Sequence, residues 1–458
     1  MINDSLLGLS GPDTSLLTDL YQLTMTACYV GEGVDQRRAS FELFTRRLPE
    51  HCGYLVAMGL AQALDYLENL RFSPEQIAAL RATGLFAGAP ERFWELLAST
   101  RFSGDVWAVP EGTVIFANEP MLRIEAPLWQ AQLVETFLLN TLNYQTLIAT
   151  KAARIRDLAG DGATLLEFGS RRAFSPQGAV WAARAAMAAG FNATSNVLAA
   201  LKLGQKPSGT MAHALVMALA ALEGSGHADG SDEDQAFRAF HRYFPGATLL
   251  IDTYDSLAAA ARLAEQVKAG TTTLKAVRLD SGDLVSQSQQ IRQLLPEVAI
   301  VASGDLDEFE IARLQAEGAT IDAYGLGTKL VTGAPVNGVY KLVEIDQIPV
   351  MKEASQKVTY PGRKQVFRRY SQGQFEADRL GLINEPPAPN EQPLLQLVVK
   401  QGERLHPDDS LSTIAARTRA QITSLPPPIR QITSPPSTQP QISPALQTLT
   451  TQTRRSPS

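Results

Sequence analysis

Arg278 stands two residues before Asp280, and the run continues as Ser281-Gly282-Asp283. A guanidinium binds phosphate or a planar carboxylate through paired hydrogen bonds. Carboxylates accept from ribose hydroxyls or hold the magnesium that accompanies pyrophosphate. Asp280 is read as such a carboxylate, whereas Asp283 reads equally well as a helix cap. Gly304-Asp305 and Gly325-Leu326-Gly327-Thr328 are glycine turns of the kind that bring backbone N–H groups and a helix start against an anion. Each is weak alone, because tight βα turns use glycine without any ligand. Two of them on neighbouring strands favour phosphate. Arg171-Arg172, after Gly169-Ser170, adds cations for an anionic substrate. His213 lies in the apolar run Gly209-Thr210-Met211-Ala212-His213-Ala214-Leu215, where a histidine is more often a core residue. Composition gives no reason to single it out.

The elements that position these residues follow from their spacing. Thr164 to Gly169 reads as a buried strand ending in polar residues, and four similar endings follow. Their markers Asp252, Asp280, Asp305 and Gly327 recur at intervals of 28, 25 and 22 residues. Helical stretches, such as Leu257 to Val267 and Glu308 to Glu317, fill the gaps. This is the rhythm of βα units. In a parallel βα barrel all such strand ends face one mouth; a doubly wound sheet gives the same local pattern, and periodicity does not separate the two. Residues 101–127 alternate short β-rich runs with turn residues and predict a small β layer. Leu128 to Leu158 has apolar residues at helical spacing.

The chain has 458 residues, 45% hydrophobic and 19% charged, enough for two domains or one elaborated barrel. The net charge is -6, and residues from Leu411 onward hold five arginines with no acid or lysine, which leaves the preceding body at -11. An acidic body argues against broad nucleic-acid binding. Cys28 and Cys52 read as reduced thiols rather than a disulfide framework. The opening Met1-Ile2-Asn3-Asp4-Ser5 shows no secretory pattern, and the longest helix-like apolar run, Ala212–Leu222, is 11 residues, against the roughly 20 a membrane span needs. A cytoplasmic protein is expected. From Leu411 the chain is rich in Pro, Ser, Thr and Gln, with near-repeats at Gln421-Ile422-Thr423-Ser424 and Gln431-Ile432-Thr433-Ser434, and is expected to be disordered.

Leu16-Leu17-Thr18-Asp19-Leu20-Tyr21-Gln22-Leu23-Thr24-Met25 closely resembles the opening of nicotinate phosphoribosyltransferases. The resemblance continues through Glu167-Phe168-Gly169-Ser170-Arg171-Arg172, Gly209-Thr210-Met211-Ala212-His213, Asp252-Thr253-Tyr254-Asp255, Arg278 to Asp283 and Tyr324 to Thr328. It ends near Asn337-Gly338-Val339-Tyr340-Lys341-Leu342. The segments keep family order over roughly residues 14–370. Six or more in order are highly specific.

The resemblance implies an α/β fold: an irregular parallel βα barrel of the type II phosphoribosyltransferases with an added N-terminal α/β domain. On that basis residues 1–150 contribute to the added domain, 151–370 form the barrel, 371–410 extend onto the body and 411–458 are the disordered tail. It implies a homodimer with shared active sites, in which Tyr21 stacks on the pyridine from across the subunit boundary. Phe168 matches the opposing aromatic and Arg171 the arginine at the nicotinate end. Arg278, Asp280, Gly304, Asp305, Gly327 and Thr328 match positions that hold ribose and its 5-phosphate, with Asp280 also a candidate magnesium ligand. His213 matches the histidine phosphorylated by ATP, and Asp252 the aspartate that hydrogen-bonds and orients it, which reverses the bland reading of His213. The family commonly has serine after that histidine; here Ala214 follows, which puts the efficiency of coupling in question. The tail has no family counterpart in this reading.

The implied reaction transfers phosphoribose from 5-phosphoribosyl 1-pyrophosphate to nicotinate, with ATP and magnesium as cofactors. Two rivals stand beside it. The related nicotinamide enzyme uses an aspartate to accept from the amide, and Ser195 occupies the matching place; a serine hydroxyl donates to a carboxylate that an aspartate would repel. A catalytically idle phosphoribosyl-binding relative is disfavoured by the retained His213 and Asp252.

Overall fold

The polar strand ends lie along one edge of a single parallel sheet. In the computed structural model, which describes residues 11–222, 231–354 and 357–455, the six strands are β1 (Thr164–Glu167), β2 (Ala193–Thr194), β3 (Leu249–Leu250), β4 (Ala276–Leu279), β5 (Ala299–Ser303) and β6 (Ala323–Leu326). They are ordered β2-β1-β6-β5-β4-β3, and every pairing is parallel. Each step from β3 to β6, and the step from β1 to β2, moves in the same direction across the sheet. Such single winding separates this sheet from a doubly wound one, which reverses direction at a switch point. The first and last strands, β1 and β6, lie side by side, as they would in a ring. The expected closure into a barrel is not part of the hydrogen bonding: among the described residues no ladder joins β2 to β3.

Helices join the strands, and their sequences fit that place. Pro176–Ala188 opens with Ser175, whose hydroxyl accepts from Gly178 N–H, and its buried face is almost wholly alanine, which permits close approach to neighbours. Ser256–Lys268, Leu284–Leu294 and Glu308–Ala316 bury Leu263, Ile291, Ile311 and Leu314. Each such side chain contributes about 1.5–3 kcal/mol by leaving water. With Val277 and Ile300 of the strands they form an apolar layer.

The chain divides into two units, Ile148–Gly333 and the residues on either side of it. The second of these carries a seven-stranded sheet of Ile348–Pro349, Gly338–Ile345, Arg38–Thr45, Pro120–Pro127, Asp105–Ala108, Gln396–Lys400 and Glu403–Arg404, in that order. A four-stranded sheet is ordered Glu391–Pro393, Lys364–Ser371, Gln374–Leu382 and Gln441–Ile442. The β runs expected in residues 101–127 are strands of this unit, and helices follow at Leu128–Leu133 and Glu135–Ala159. The barrel segment is expected over residues 151–370. Residues 334–370 instead group with the N-terminal region, because Gly338–Ile345 pairs antiparallel with Arg38–Thr45.

The tail is a second correction. Residues 411–455 are ordered, with helices at Leu411–Ser424 and Pro444–Arg455 and a strand at Gln441–Ile442 beside Gln374–Leu382. Polar composition hid a helical stripe: Ile414, Thr418 and Ile422 recur every four residues and are buried. Ser410 caps that helix by accepting from Thr413 N–H at 3.1 Å. Arg417 is not loose charge, since it pairs with Asp409 at 2.7 Å and donates to Glu111 O at 2.6 Å. The opening pentapeptide and the last three residues lie outside the described residues. Cys28 and Cys52 are not joined in a disulfide. Among the described residues no helix is long and apolar enough to cross a membrane.

Candidate active site

At the β1 end the last paired residues are Glu167 with Leu326 and Glu167 with Thr194. Phe168 follows, its N–H donating to Leu326 O at 2.7 Å. Its ring lies on the backbone of Gly325, where an added Cβ would come within 2.5 Å of Cε2. Gly325 is therefore a platform for the aromatic ring rather than a phosphate turn. Any side chain there would evict Phe168. Arg172 N–H donates to Gly169 O at 2.8 Å, forming a tight turn that leaves Arg171 and Arg172 exposed. Ser195 follows β2, and its N–H donates to Glu167 O at 2.9 Å.

At the other end, Asp280 Oδ1 accepts from Ser303 Oγ at 2.6 Å, which ties β4 to β5. Gly304 has φ 89° and sits so close to β4 that a Cβ would fall 2.3 Å from Asp280 O. Only glycine fits. Asp305 follows at φ 40°, a left-handed conformation that costs a non-glycine residue about 1–3 kcal/mol and gathers at functional sites. Asp252 Oδ2 accepts from Asp280 N–H and Ser281 Oγ, both at 2.8 Å, which ties β3 to β4. Burial pulls the Arg278 guanidinium below its usual pKa; Asp280 and Asp252 oppose that fall, and the nearby charge of Arg171 adds to it. Arg171 thus lies within electrostatic reach of Arg278, which places two cations at this sheet edge.

His213 begins the helix His213–Leu222. Its Nδ1 is 3.1 Å from Thr253 Oγ1, and its Nε2 is 3.7 Å from Asp252 Oδ1. The expected hydrogen bond from Asp252 is therefore not made: the gap exceeds hydrogen-bond length. The ring is held by Thr253, and the Asp252 carboxylate faces its other nitrogen. The physical reason is that Oδ2 is committed to β4, which fixes where Oδ1 stands.

Among the described residues of this unit five side-chain polar atoms are buried without a protein hydrogen-bond partner: Glu233 Oε1 and Gln287 Oε1 on helices, and Ser170 Oγ, Arg278 Nε and Asp252 Oδ1 at strand ends. Buried polar groups are normally matched. A hydroxyl, a cation and a carboxylate oxygen at strand ends of one sheet are thus left without a protein partner.

Tyr21 belongs to the other unit. Its hydroxyl donates to Glu135 Oε2 at 3.3 Å, and burial together with the Glu135 charge pushes its pKa up to about 12, which keeps the phenol neutral. Gln22 and Gln132 also donate to Glu135, at 2.7 and 3.2 Å. In the Ile148–Gly333 unit, the sheet edge carries Phe168, Arg171, Ser195, Asp252, Arg278, Asp280, Gly304, Asp305, Gly327 and Thr328, with His213 at Thr253. Sequence reasoning missed the side chains that brace them: Glu167, Thr194, Thr253, Ser281 and Ser303. Their signal was position, since each lies within two residues of a residue already singled out or at the last turn of a strand. Asp283 accepts from Val285 and Ser286 N–H and is a helix cap. Among the described residues no group of three or more His, Cys, Asp or Glu side chains is arranged to hold a metal.

Three family models match in succession: the nicotinate phosphoribosyltransferase N-terminal domain over residues 16–143, the family domain over 163–377 and the C-terminal domain over 390–450. The last of these corrects the reading of the tail as having no family counterpart. The chain is 42% identical over 429 residues to nicotinate phosphoribosyltransferase pncB2 of Mycobacterium tuberculosis, covering 91% of this chain and 89% of that one. It is 42% identical over 398 residues to the nicotinate phosphoribosyltransferase of Bacillus subtilis, covering 82% and 78%. The crystal structure of human nicotinic acid phosphoribosyltransferase superposes with TM-score 0.84 at 31% identity, covering 95% of this chain and 99% of that chain.

Proposed function

This chain belongs to the nicotinate phosphoribosyltransferase family, and we propose that it transfers phosphoribose from 5-phosphoribosyl 1-pyrophosphate to nicotinate, giving nicotinate mononucleotide and pyrophosphate for NAD biosynthesis. The observation that carries the reading is the gathering at one sheet edge of Arg171 and Arg278, the acids Asp280 and Asp305, and three open polar atoms. In the reaction the pyridine nitrogen displaces pyrophosphate at the anomeric carbon through an oxocarbenium-like transition state. The nitrogen carries no proton, so no general base is required. Catalysis then rests on positioning and on stabilising the departing anion.

In this reading Phe168, Arg171 and Ser195 receive the nicotinate ring and carboxylate. Arg278, Asp280, Gly304, Asp305, Gly327 and Thr328 hold the ribose phosphate. ATP phosphorylates His213, oriented by Thr253 with Asp252 facing its second nitrogen, and loss of that phosphate is tied to turnover. Magnesium would neutralise pyrophosphate charge. Such an ion would be held mainly by phosphate and water, with Asp280 as a protein ligand. The working form is a cytoplasmic homodimer in which Tyr21 closes the partner's pyridine slot.

The test is pyrophosphate release from phosphoribosyl pyrophosphate with nicotinate, with and without ATP. Nicotinate-dependent release stimulated by ATP is expected; a preference for nicotinamide would overturn the role of Ser195. Labelled ATP should give an acid-labile, base-stable phosphate that His213→Ala abolishes. Wild-type protein with neither label nor release would instead be an idle relative.

A further inference from the structure

Glu167 ends β1, is fully buried, and its side-chain hydrogen-bond partners are uncharged. Both of its oxygens are nevertheless filled. Oε1 accepts from Gly169 N–H, in the turn that carries Phe168 and Arg171. Oε2 accepts from the Thr194 hydroxyl at the end of β2, and that hydroxyl in turn accepts from Asn196 N–H at 2.9 Å. The residue between Thr194 and Asn196 is Ser195. The backbone repeats the connection, since Ser195 N–H donates to Glu167 O at 2.9 Å. One carboxylate therefore spans the two loops that bear the aromatic ring, the arginine and the serine.

We propose that Glu167, acting through Thr194, is a positioning residue that fixes the distance between the Phe168–Arg171 turn and Ser195, and so sets the width of the slot for the flat anionic ring. The inference rests on the nicotinate assignment of that slot. Glu167 itself touches no substrate in this reading.

The chemistry explains why a carboxylate is needed. Both partners are donors, an N–H and an O–H, and an ionised carboxylate is an acceptor at both ends. Glutamine keeps the shape but presents an NH2 group at one end. That group would meet a hydroxyl already accepting from Asn196, and the Thr194 proton would lose its acceptor. The mismatch falls on the link between the loops. Gly169 adds a reason why the turn does not simply relax: a Cβ there would fall 2.2 Å from Val331 Cγ1, so the turn is packed as well as bonded.

The experiment uses the purified full-length protein, with KM and kcat measured separately for nicotinate and for phosphoribosyl pyrophosphate. Glu167→Gln and Thr194→Val should each raise KM for nicotinate about tenfold, the loss of roughly one buried hydrogen bond, while KM for phosphoribosyl pyrophosphate stays within about twofold. The double variant should resemble the single ones rather than multiply them, because both cut the same link. His213 labelling by ATP should persist in all three. Equal shifts in both KM values, multiplicative effects, or an unchanged KM for nicotinate in a folded Thr194→Val protein would overturn the proposal. Thr194→Val is nearly isosteric and keeps the test open if Glu167→Gln folds poorly. Wild-type protein that does not turn over nicotinate would defeat the functional assignment instead, which the same assay shows separately.

Discussion

At one end of the sheet edge Glu167 ties β1 to β2, and at the other Asp252 ties β3 to β4. Both carboxylates are buried, with Glu167 fully covered and the Asp252 side chain only 3% exposed. Both accept one backbone N–H and one hydroxyl. The difference lies in how those two donors are shared. Glu167 spends one oxygen on each, so neither of its oxygens is left without a donor. Asp252 takes both donors on Oδ2 and keeps Oδ1 open, 3.7 Å from the His213 ring. A buried carboxylate with a protein donor on each oxygen is bound up in holding geometry. One with an open oxygen holds geometry and also offers charge to a neighbour that changes its own charge during a reaction. The two residues look alike in burial and in type, and only the count of donors per oxygen separates a brace from a partner in chemistry.

That contrast is easiest to break at Asp252. Asp252→Asn keeps one oxygen for Asp280 N–H and Ser281, but it turns an NH2 group toward the imidazole and removes the negative charge. ATP labelling of His213 should fall on the order of 10²-fold or more, the range for losing a group that manages a proton in a reaction. Glu167→Gln should leave the same labelling intact. Comparable losses in both variants would mean that the open oxygen of Asp252 has no special role. A smaller effect is expected next door. Thr253→Val removes a single neutral hydrogen bond to His213 Nδ1, and labelling should slow about fivefold, corresponding to about 1 kcal/mol. Rapid-quench measurement of phosphate incorporation reads both. A Thr253 effect larger than that of Asp252 would reverse the ranking and make the hydroxyl the principal orienting group.

Much of this was legible in the chain, and the failures have physical causes. Apolar runs ending in polar residues at intervals of 28, 25 and 22 gave the strands and the edge at which their ends meet, because parallel strands joined by helices all end on one side. The winding direction was not legible, since it depends on which strands pair. The tail was misread because a stripe of one buried residue per helical turn, Ile414, Thr418 and Ile422, dilutes to nothing in a composition dominated by Pro, Ser, Thr and Gln. That residues 334–370 group with the N-terminal region is illegible for a similar reason. Nothing in Gly338–Ile345 announces that its partner strand lies some three hundred residues earlier. Glu167 escaped notice because a carboxylate next to a motif is indistinguishable in sequence from a carboxylate in it. The distance between Asp252 and His213 likewise depends on the bonds to Asp280 and Ser281, which no spacing reveals.

The acids at the strand ends extend the same contrast to the mildest test. Asp252 and Asp280 are each followed three residues later by another aspartate, Asp255 and Asp283, and Asp305 is followed two later by Asp307. The first acids of the β3 and β4 pairs turn to a neighbouring strand. The second acid of each set caps the next helix: Asp255 accepts from Leu257 and Ala258 N–H, Asp283 from Val285 and Ser286, and Asp307 from Glu310. The two roles follow from geometry, because the residue just past a strand faces the adjacent strand end, whereas the one before a helix faces its free N–H groups. Asp283→Ala should therefore cost about 1 kcal/mol of stability, lowering the melting temperature by about 2–4 °C for a unit of this size. The kinetic constants for nicotinate and for phosphoribosyl pyrophosphate should not change. Asp280→Ala, by contrast, should raise KM for phosphoribosyl pyrophosphate. A drop in activity for Asp283→Ala with no drop in melting temperature would move Asp283 from the helix to the ligand, and the pairing of one site acid with one capping acid would fail at the strand that suggested it.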